Sequence, residues 1–356
     1  MLDVRRIEAA TPVGRDRGVD ALRAAAIVGV VLGHWLVTAW ERSPRVVISS
    51  PLAYMPQLSP VSWVLQTLAV FFLVGGYAAA RGVREPYRSW VVKRLGRLAM
   101  PVVPLLLAWA VLGVLVSVLN GQPIESVYAL AKPALGPLWF LGVFAVLTAL
   151  TPWLVKAGPV AVGAAVAVVA VVDLLRFGFG VPGVVGWVNL AAAWLVPYLL
   201  GVLWARGGLS PRRTGPWLLA GGGAAALALV AWGGYPAAMI GITGQTVSNL
   251  SPPTLAAVCF GLAQSGLALL LHEPLGRLMR RPRLWAPVAM ANVGAMPIFL
   301  WHQTALVLTV VTFGLYGRPD APSWVLERLA WLPVVALVLV FMTWCRHQLD
   351  AGRRFW

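Results

Sequence analysis

The chain has 356 residues, of which 60% are hydrophobic and only 11% charged, with a mean hydropathy of +0.80. Soluble domains carry about a quarter charged residues, so this composition excludes a soluble globular protein and indicates an integral membrane one. The net charge of +16 does not signal nucleic acid, because the basic residues fall between apolar runs and no arginine-rich patch is interleaved with aromatics.

Apolar runs at 22–40, 61–80, 98–119, 137–155, 159–175, 187–205, 217–233, 253–271, 291–314 and 325–345 each approach the length of a spanning helix. The expected fold is therefore all-α, a polytopic bundle of about ten transmembrane helices. Residues 1–20 would form an N-terminal segment, 21–346 the membrane domain and 347–356 a C-terminal tail. Residues 1–20 are polar and hold Arg5, Arg6, Arg15 and Arg17, which predicts no cleavable leader. Of the 28 Lys and Arg residues, only Arg42, Arg45, Lys132, Arg176, Arg318 and Arg328 fall on the side opposite the N-terminus. The positive-inside rule then places both termini in the cytoplasm. Arg outnumbers Lys 25 to 3, a bias that a GC-rich bacterial genome produces, so a bacterial inner membrane is expected. Cys259 and Cys345 both belong to apolar runs, which suggests neither a disulfide framework nor a metal site.

The first run contains Arg23-AAAIVGVVLG-His34. Eleven steps at about 100° close three turns with about 20° to spare, so both side chains share one helical face about 16 Å apart. With Arg23 at the membrane surface, His34 would lie near mid-bilayer, where an ionisable group is costly and a functional candidate. A neutral imidazole also suits a base near neutral pH. The bland alternatives are an interhelical hydrogen bond for His34 and a surface anchor for Arg23. Asp20 is placed either to cap the helix or to pair with Arg23.

Further along, Phe71-Phe72-Leu73-Val74-Gly75-Gly76-Tyr77 sets two glycines inside a span, for close packing or for the approach of a flexible chain. The loop 81–97 has six basic residues against Glu85, and its Arg94 and Arg97 are spaced to present two guanidinium forks on one face. Such a pair suits a diphosphate, a nucleotide phosphate or a lipid headgroup. Trp139 stands in an aromatic stretch that forms either an interfacial belt or a pocket wall. Asp173 and Arg176 read as a local pair. The stretch Ser248–Thr254, with Asn249, caps a cavity or starts a helix. His302 is a second intramembrane histidine, whereas His272 and His347 read as surface residues. The loops 41–60, 120–136 and 234–252 either line an entrance for substrate or simply connect spans.

Taken together, RGVDALRAAAIVGVVLGHW at 17–35, FFLVGGY at 71–77, the Arg94/Arg97 pair, PLWFL at 137–141, SNLSPPT at 248–254 and PIFLWHQTAL at 297–306 resemble the acyltransferase-3 family of bacterial membrane acyltransferases. The resemblance runs from Arg17 to the end of the tenth span. Many relatives have Ser-Gly where this chain has Gly75-Gly76, so a hydroxyl is absent there.

This resemblance implies ten helices around a cavity and transfer of an acyl group from cytoplasmic acyl-CoA, with acetyl-CoA the default. The acceptor would be a hydroxyl on a sugar, envelope glycoconjugate or natural product. Arg23, Arg94 and Arg97 would hold the CoA phosphates, and His34 would be the general base or, alternatively, a transient acyl carrier. His302, Trp139 and Asn249 would form a substrate-binding or second site, without a metal. The expected partners are acyl-CoA, the acceptor and the lipid bilayer. The competing reading is a transporter or flippase for an anionic or lipid-linked solute, and a third is a structural subunit. The scarcity of membrane carboxylates disfavours an ion-coupled transporter.

Overall fold

The computed structural model describes residues 4–42, 45–119 and 124–352, with side chains to Cys345. Residues 1–3, 43–44, 120–123 and 353–356 lie outside it. Parts of the N-terminal segment, the loops 41–60 and 120–136 and the tail fall there, as does the side chain of His347.

Sixteen helices follow in order: α1 (Val4–Ala10), α2 (Arg17–Val37), α3 (Pro51–Tyr54), α4 (Ser59–Leu65), α5 (Leu68–Gly82), α6 (Tyr87–Ala99), α7 (Val102–Leu119) and α8 (Ile124–Leu135). The second half holds α9 (Leu138–Leu154), α10 (Pro159–Asp173), α11 (Val188–Ala205), α12 (Pro211–Trp232), α13 (Leu255–Leu278), α14 (Pro282–Val293), α15 (Ala295–Phe313) and α16 (Pro322–Gly352). Two short strands, β1 (Ala39–Arg42) and β2 (Val46–Ser49), pair antiparallel with Trp40 opposite Ile48.

Among the described residues, ten helical stretches are long and apolar enough to cross a membrane, from Arg17–Val37 to Pro322–Cys345. Every expected span has its counterpart, and the protein is a multi-pass, all-α membrane bundle. Three boundaries move. The loop 120–136 contains α8, and the span it opens begins at Ile124. The basic loop 81–97 contains the start of α6, which joins the third span. The last helix, α16, runs on to Gly352, past the apolar run that ends at 345. In each case polar residues sit in helical turns that continue an apolar helix, and hydropathy alone ends the run too soon.

We call the face where α2 begins proximal and the face where it ends distal. α2, α11 and α13 are the most buried spans, while α7, α12 and α16 are the least buried. All-round apolarity is what a helix facing lipid requires. α5 packs on α11, α12 on α13, and α2 on α13, α5 and α15. At the α5–α11 contact the backbones nearly touch: a Cβ on Gly76 would meet the carbonyl of Tyr198, and one on Gly201 the carbonyl of Leu73. The glycines of FFLVGGY therefore serve helix packing, with Gly75 filled against Phe144.

The distal connections are fastened to one another. Trp40 Nε1 donates to the Ala129 carbonyl at 2.8 Å, and Trp63 Nε1 to that of Ala237 at 2.8 Å. Asp173 is more than a local partner of Arg176. Its carboxylate also accepts from Asn189 (3.0 Å), Tyr235 (3.1 Å) and the Leu255 amide (2.7 Å), tying α10, α11 and α13 together.

Candidate active site

α2 begins earlier than its apolar run because Asp16 caps it, accepting from the Val19 amide at 3.1 Å. Asp20 is thus no cap. It is buried and pairs with Arg15 at 2.5 Å and with Arg23 at 3.6 Å. Asp16 also binds His272 Nε2 at 2.9 Å and the Tyr77 hydroxyl at 3.0 Å. Burial pushes the Asp16 pKa up, but the hydrogen bonds from His272, Val19 and Tyr77 outweigh it and hold the carboxyl at about 2. His272 is therefore half-buried in a hydrogen-bonded network, with Trp204 edge-on 4.8 Å away, and is not a surface residue.

The earlier start moves both ends of the Arg–His pair. Arg23 lies nearly two turns inside the helix, and His34 stands in its last turn, toward the distal face. The helix is unbroken between them, so they remain about 16 Å apart along one axis. At the proximal end Arg94 donates to the Ala78 carbonyl at 3.3 Å, lies over the Trp90 ring at 5.6 Å and interacts electrostatically with Arg23. Arg97 is exposed on the same helix, close enough to act on Arg94. Arg23 shares Asp20, whereas neither Arg94 nor Arg97 has a carboxylate partner among the described residues.

At the distal end a cavity of about 560 Å³ opens beside His34, within the usual range for small-molecule sites. Its walls come from the end of α2, β2, α3, α4, the α8–α9 junction, the loop around Gly241 and the start of α16. The span containing α4 and α5 is interrupted at Gln66–Thr67, and both residues line the cavity. Gln264 donates to the freed Gln66 carbonyl, and Thr67 Oγ1 donates to the Ala26 carbonyl at 2.7 Å, tying the break to α2.

Inside this cavity the amide of Gln303 lies 3.0 Å from His34 Nδ1 and 3.3 Å from Thr38 Oγ1. His302, fully buried, stands next to His34 with ring centroids 5.1 Å apart. Its Nδ1 is 2.7 Å from the Phe299 carbonyl, so Nδ1 carries a proton and donates it there. Its Nε2 has no hydrogen-bond partner. Trp35 Nε1 donates to the His302 carbonyl at 2.9 Å and locks α2 to α15.

The structure thus sets His34 and Trp139 on the wall of the distal cavity, with His302 buried behind His34 and outside the lining, and Arg23 and Arg94 at the proximal end. Asn249 does not line the cavity. Its amide nitrogen donates to the Pro236 and Ala238 carbonyls at 2.7 and 3.0 Å, and its oxygen accepts from Thr254 at 2.7 Å. With every polar atom satisfied inside its own loop, Asn249 shapes the wall from behind. Leu250 reaches the cavity, and Thr254 caps α13. Sequence reasoning passed over Gln303, Gln66, Lys132 and Arg328, all on the cavity wall. Gln303 adjoins His302 in the quoted motif, and Arg328 is a cation inside an apolar run; those were the available signals.

A family model described as an acyltransferase domain, of the acyltransferase-3 type, matches residues 16–347. No curated protein and no solved structure matches the chain.

Proposed function

The chain belongs to the acyltransferase-3 family and is a membrane acyltransferase, and from that premise we propose that it transfers an acyl group from cytoplasmic acyl-CoA to a hydroxyl of a sugar, envelope glycoconjugate or natural product. The observation that carries the proposal is the position of His34, on the wall of the distal cavity with its Nδ1 held by Gln303. The proximal face, which holds most of the cations, is the cytoplasmic one in this reading. Arg94, Arg97 and Arg23 bind the donor phosphates there, and the acyl thioester reaches His34 along α2. Acetyl is the default acyl group. The acceptor enters the cavity from the opposite face.

The Gln303 amide can present either its oxygen or its nitrogen to Nδ1, and so selects which ring nitrogen carries the proton. As placed, the Gln303 amide nitrogen donates to Nδ1 and the ring proton lies on Nε2. With the amide turned over, its oxygen accepts from Nδ1–H and the lone pair sits on Nε2, which has no protein partner among the described residues. Nε2 takes the acceptor's hydroxyl proton as the oxygen attacks the thioester carbonyl. The C–O bond forms, the C–S bond breaks, and the imidazolium returns the proton to the departing thiolate. His302 behind it keeps the ring in place.

One observation favours a transporter instead: the span interrupted at Gln66–Thr67, since broken helices commonly mark substrate sites in transporters. Direct binding of acetyl-CoA to the protein in nanodiscs separates the readings. Wild type is expected to bind, and the Arg94→Ala/Arg97→Ala variant to lose at least tenfold in affinity. Absence of binding by acetyl-CoA and longer acyl-CoAs, together with solute flux in proteoliposomes, would favour transport.

A further inference from the structure

The distal cavity is charged in one sense only. Among the described residues, Arg328 and Lys132 line it and no Asp or Glu does. Arg328 lies in the second turn of α16 and is 5% exposed. Its guanidinium sits 4.7 Å from the Trp324 ring, one turn back on the same helix. No hydrogen bond or ion pair reaches it among the described residues. The nearest acid in sequence, Glu327, is solvent-exposed; it shares a second, small pocket with Arg328 and Trp324 and acts on Arg328 only electrostatically.

A guanidinium inside a span is costly, and those that persist normally pair with a carboxylate or reach a water-filled path. Arg328 has the second option alone. A surface anchor would extend toward the headgroups, but this side chain is covered by its own helix, Trp324 and the cavity wall. Stacking on tryptophan fixes the plane of the guanidinium while leaving its N–H groups free. In a largely apolar cavity such a fork attracts an anion more strongly than it would in water. Lys132, exposed on α8 with its ammonium 5.8 Å from the Tyr128 ring, adds a second positive charge at the mouth.

We propose that Arg328, assisted by Lys132, is an anion-recognition site of the distal cavity, and that the hydroxyl compound bound there carries a carboxylate or phosphate group. Identifying that compound as the acyl acceptor rests on the function proposed above; the anion site itself does not. The anionic group docks on Arg328 and leaves the hydroxyl end to be presented to His34 across the same cavity. Neutral alcohols would lack this anchor.

The test is calorimetric titration of the protein in nanodiscs with glucuronate, glucose 6-phosphate and glucose, for wild type, Arg328→Gln, Arg328→Lys, Lys132→Gln and His34→Ala. At least one anionic sugar is expected to bind wild type tenfold or more tightly than glucose, and the better of the two identifies carboxylate or phosphate as the group recognised. Arg328→Gln should bring the preference within twofold, and Lys132→Gln should weaken it about threefold. His34→Ala should keep it. Equal binding of all three sugars by wild type, or an undiminished preference in Arg328→Gln, overturns the proposal. If Arg328→Gln does not fold, Arg328→Lys decides, because an ammonium cannot reproduce the fork: unchanged anion affinity there overturns the site. Anion preference without acetyl transfer from acetyl-CoA would refute the proposed function and leave the anion site standing; transfer without anion preference does the reverse.

Discussion

His34 and Gln303 meet at 3.0 Å across 269 residues of chain, and that single contact decides how the imidazole can act. A histidine able to rotate or to exchange tautomers freely would present the wrong nitrogen part of the time. The Gln303 contact holds the ring, and the orientation of its amide, which also reaches Thr38, sets which nitrogen carries the proton. Replacing His34 by Ala removes the proposed base but no packing partner on which the fold depends, since the ring borders the cavity. We expect His34→Ala to lower acyl transfer by about 10²- to 10⁴-fold, the usual value of a general base, with unchanged thermal unfolding and unchanged acetyl-CoA affinity. An initial-rate assay on the purified variant checks it, and turnover near the wild-type level would remove His34 from the mechanism.

Some elements are joined here by close backbone contact and others by hydrogen bonds. The α5–α11 contact depends on Gly76 and Gly201, because lipid offers no hydrophobic drive and only close backbone approach maximises dispersion. Gly76→Ala forces a methyl group against the Tyr198 carbonyl, and the helices must separate. It should destabilise the protein by about 1–3 kcal/mol, the typical cost of overpacking. Gly163→Ala, in α10 where a Cβ meets nothing within 4 Å, should be neutral or slightly stabilising. Thermal unfolding of the two variants in the same detergent gives the comparison; equal effects would show that the α5–α11 contact is not tight. The interrupted span offers the opposite lesson. At the break Gln264 takes over the Gln66 carbonyl and the Thr67 hydroxyl donates to Ala26 of α2, which gives the cavity a polar floor.

The whole molecule is polarised. Arginines crowd the proximal face, and the distal face is built of interlocked loops around the cavity. If the proximal face is cytoplasmic, donor and acceptor meet from opposite sides of the membrane. Cysteine labelling tests this in a background with Cys259 and Cys345 replaced by Ser. Ser323→Cys on the distal face should react with a membrane-impermeant maleimide added to intact cells, and Arg283→Cys on the proximal face only after permeabilisation. The reverse pattern would invert the topology and with it the side from which the donor arrives.

Ten spans, their alternating charge, and the spacing of Arg23 and His34 were legible in the sequence, because hydropathy, length and helical phase are local properties. So was the pairing of Asp20 with Arg23, three residues apart on one helix. Tertiary structure decided the rest. It made Asp16 the cap of α2 and drew His272 into its network, and it gave Gly75 and Gly76 to packing. It turned Asn249 into a fastener of its own loop and set Gln303 on His34. It also left Arg328 on a cavity wall without a carboxylate. The partners of these groups come from distant helices, and a buried polar atom takes its role from whatever group satisfies it, which no local pattern records.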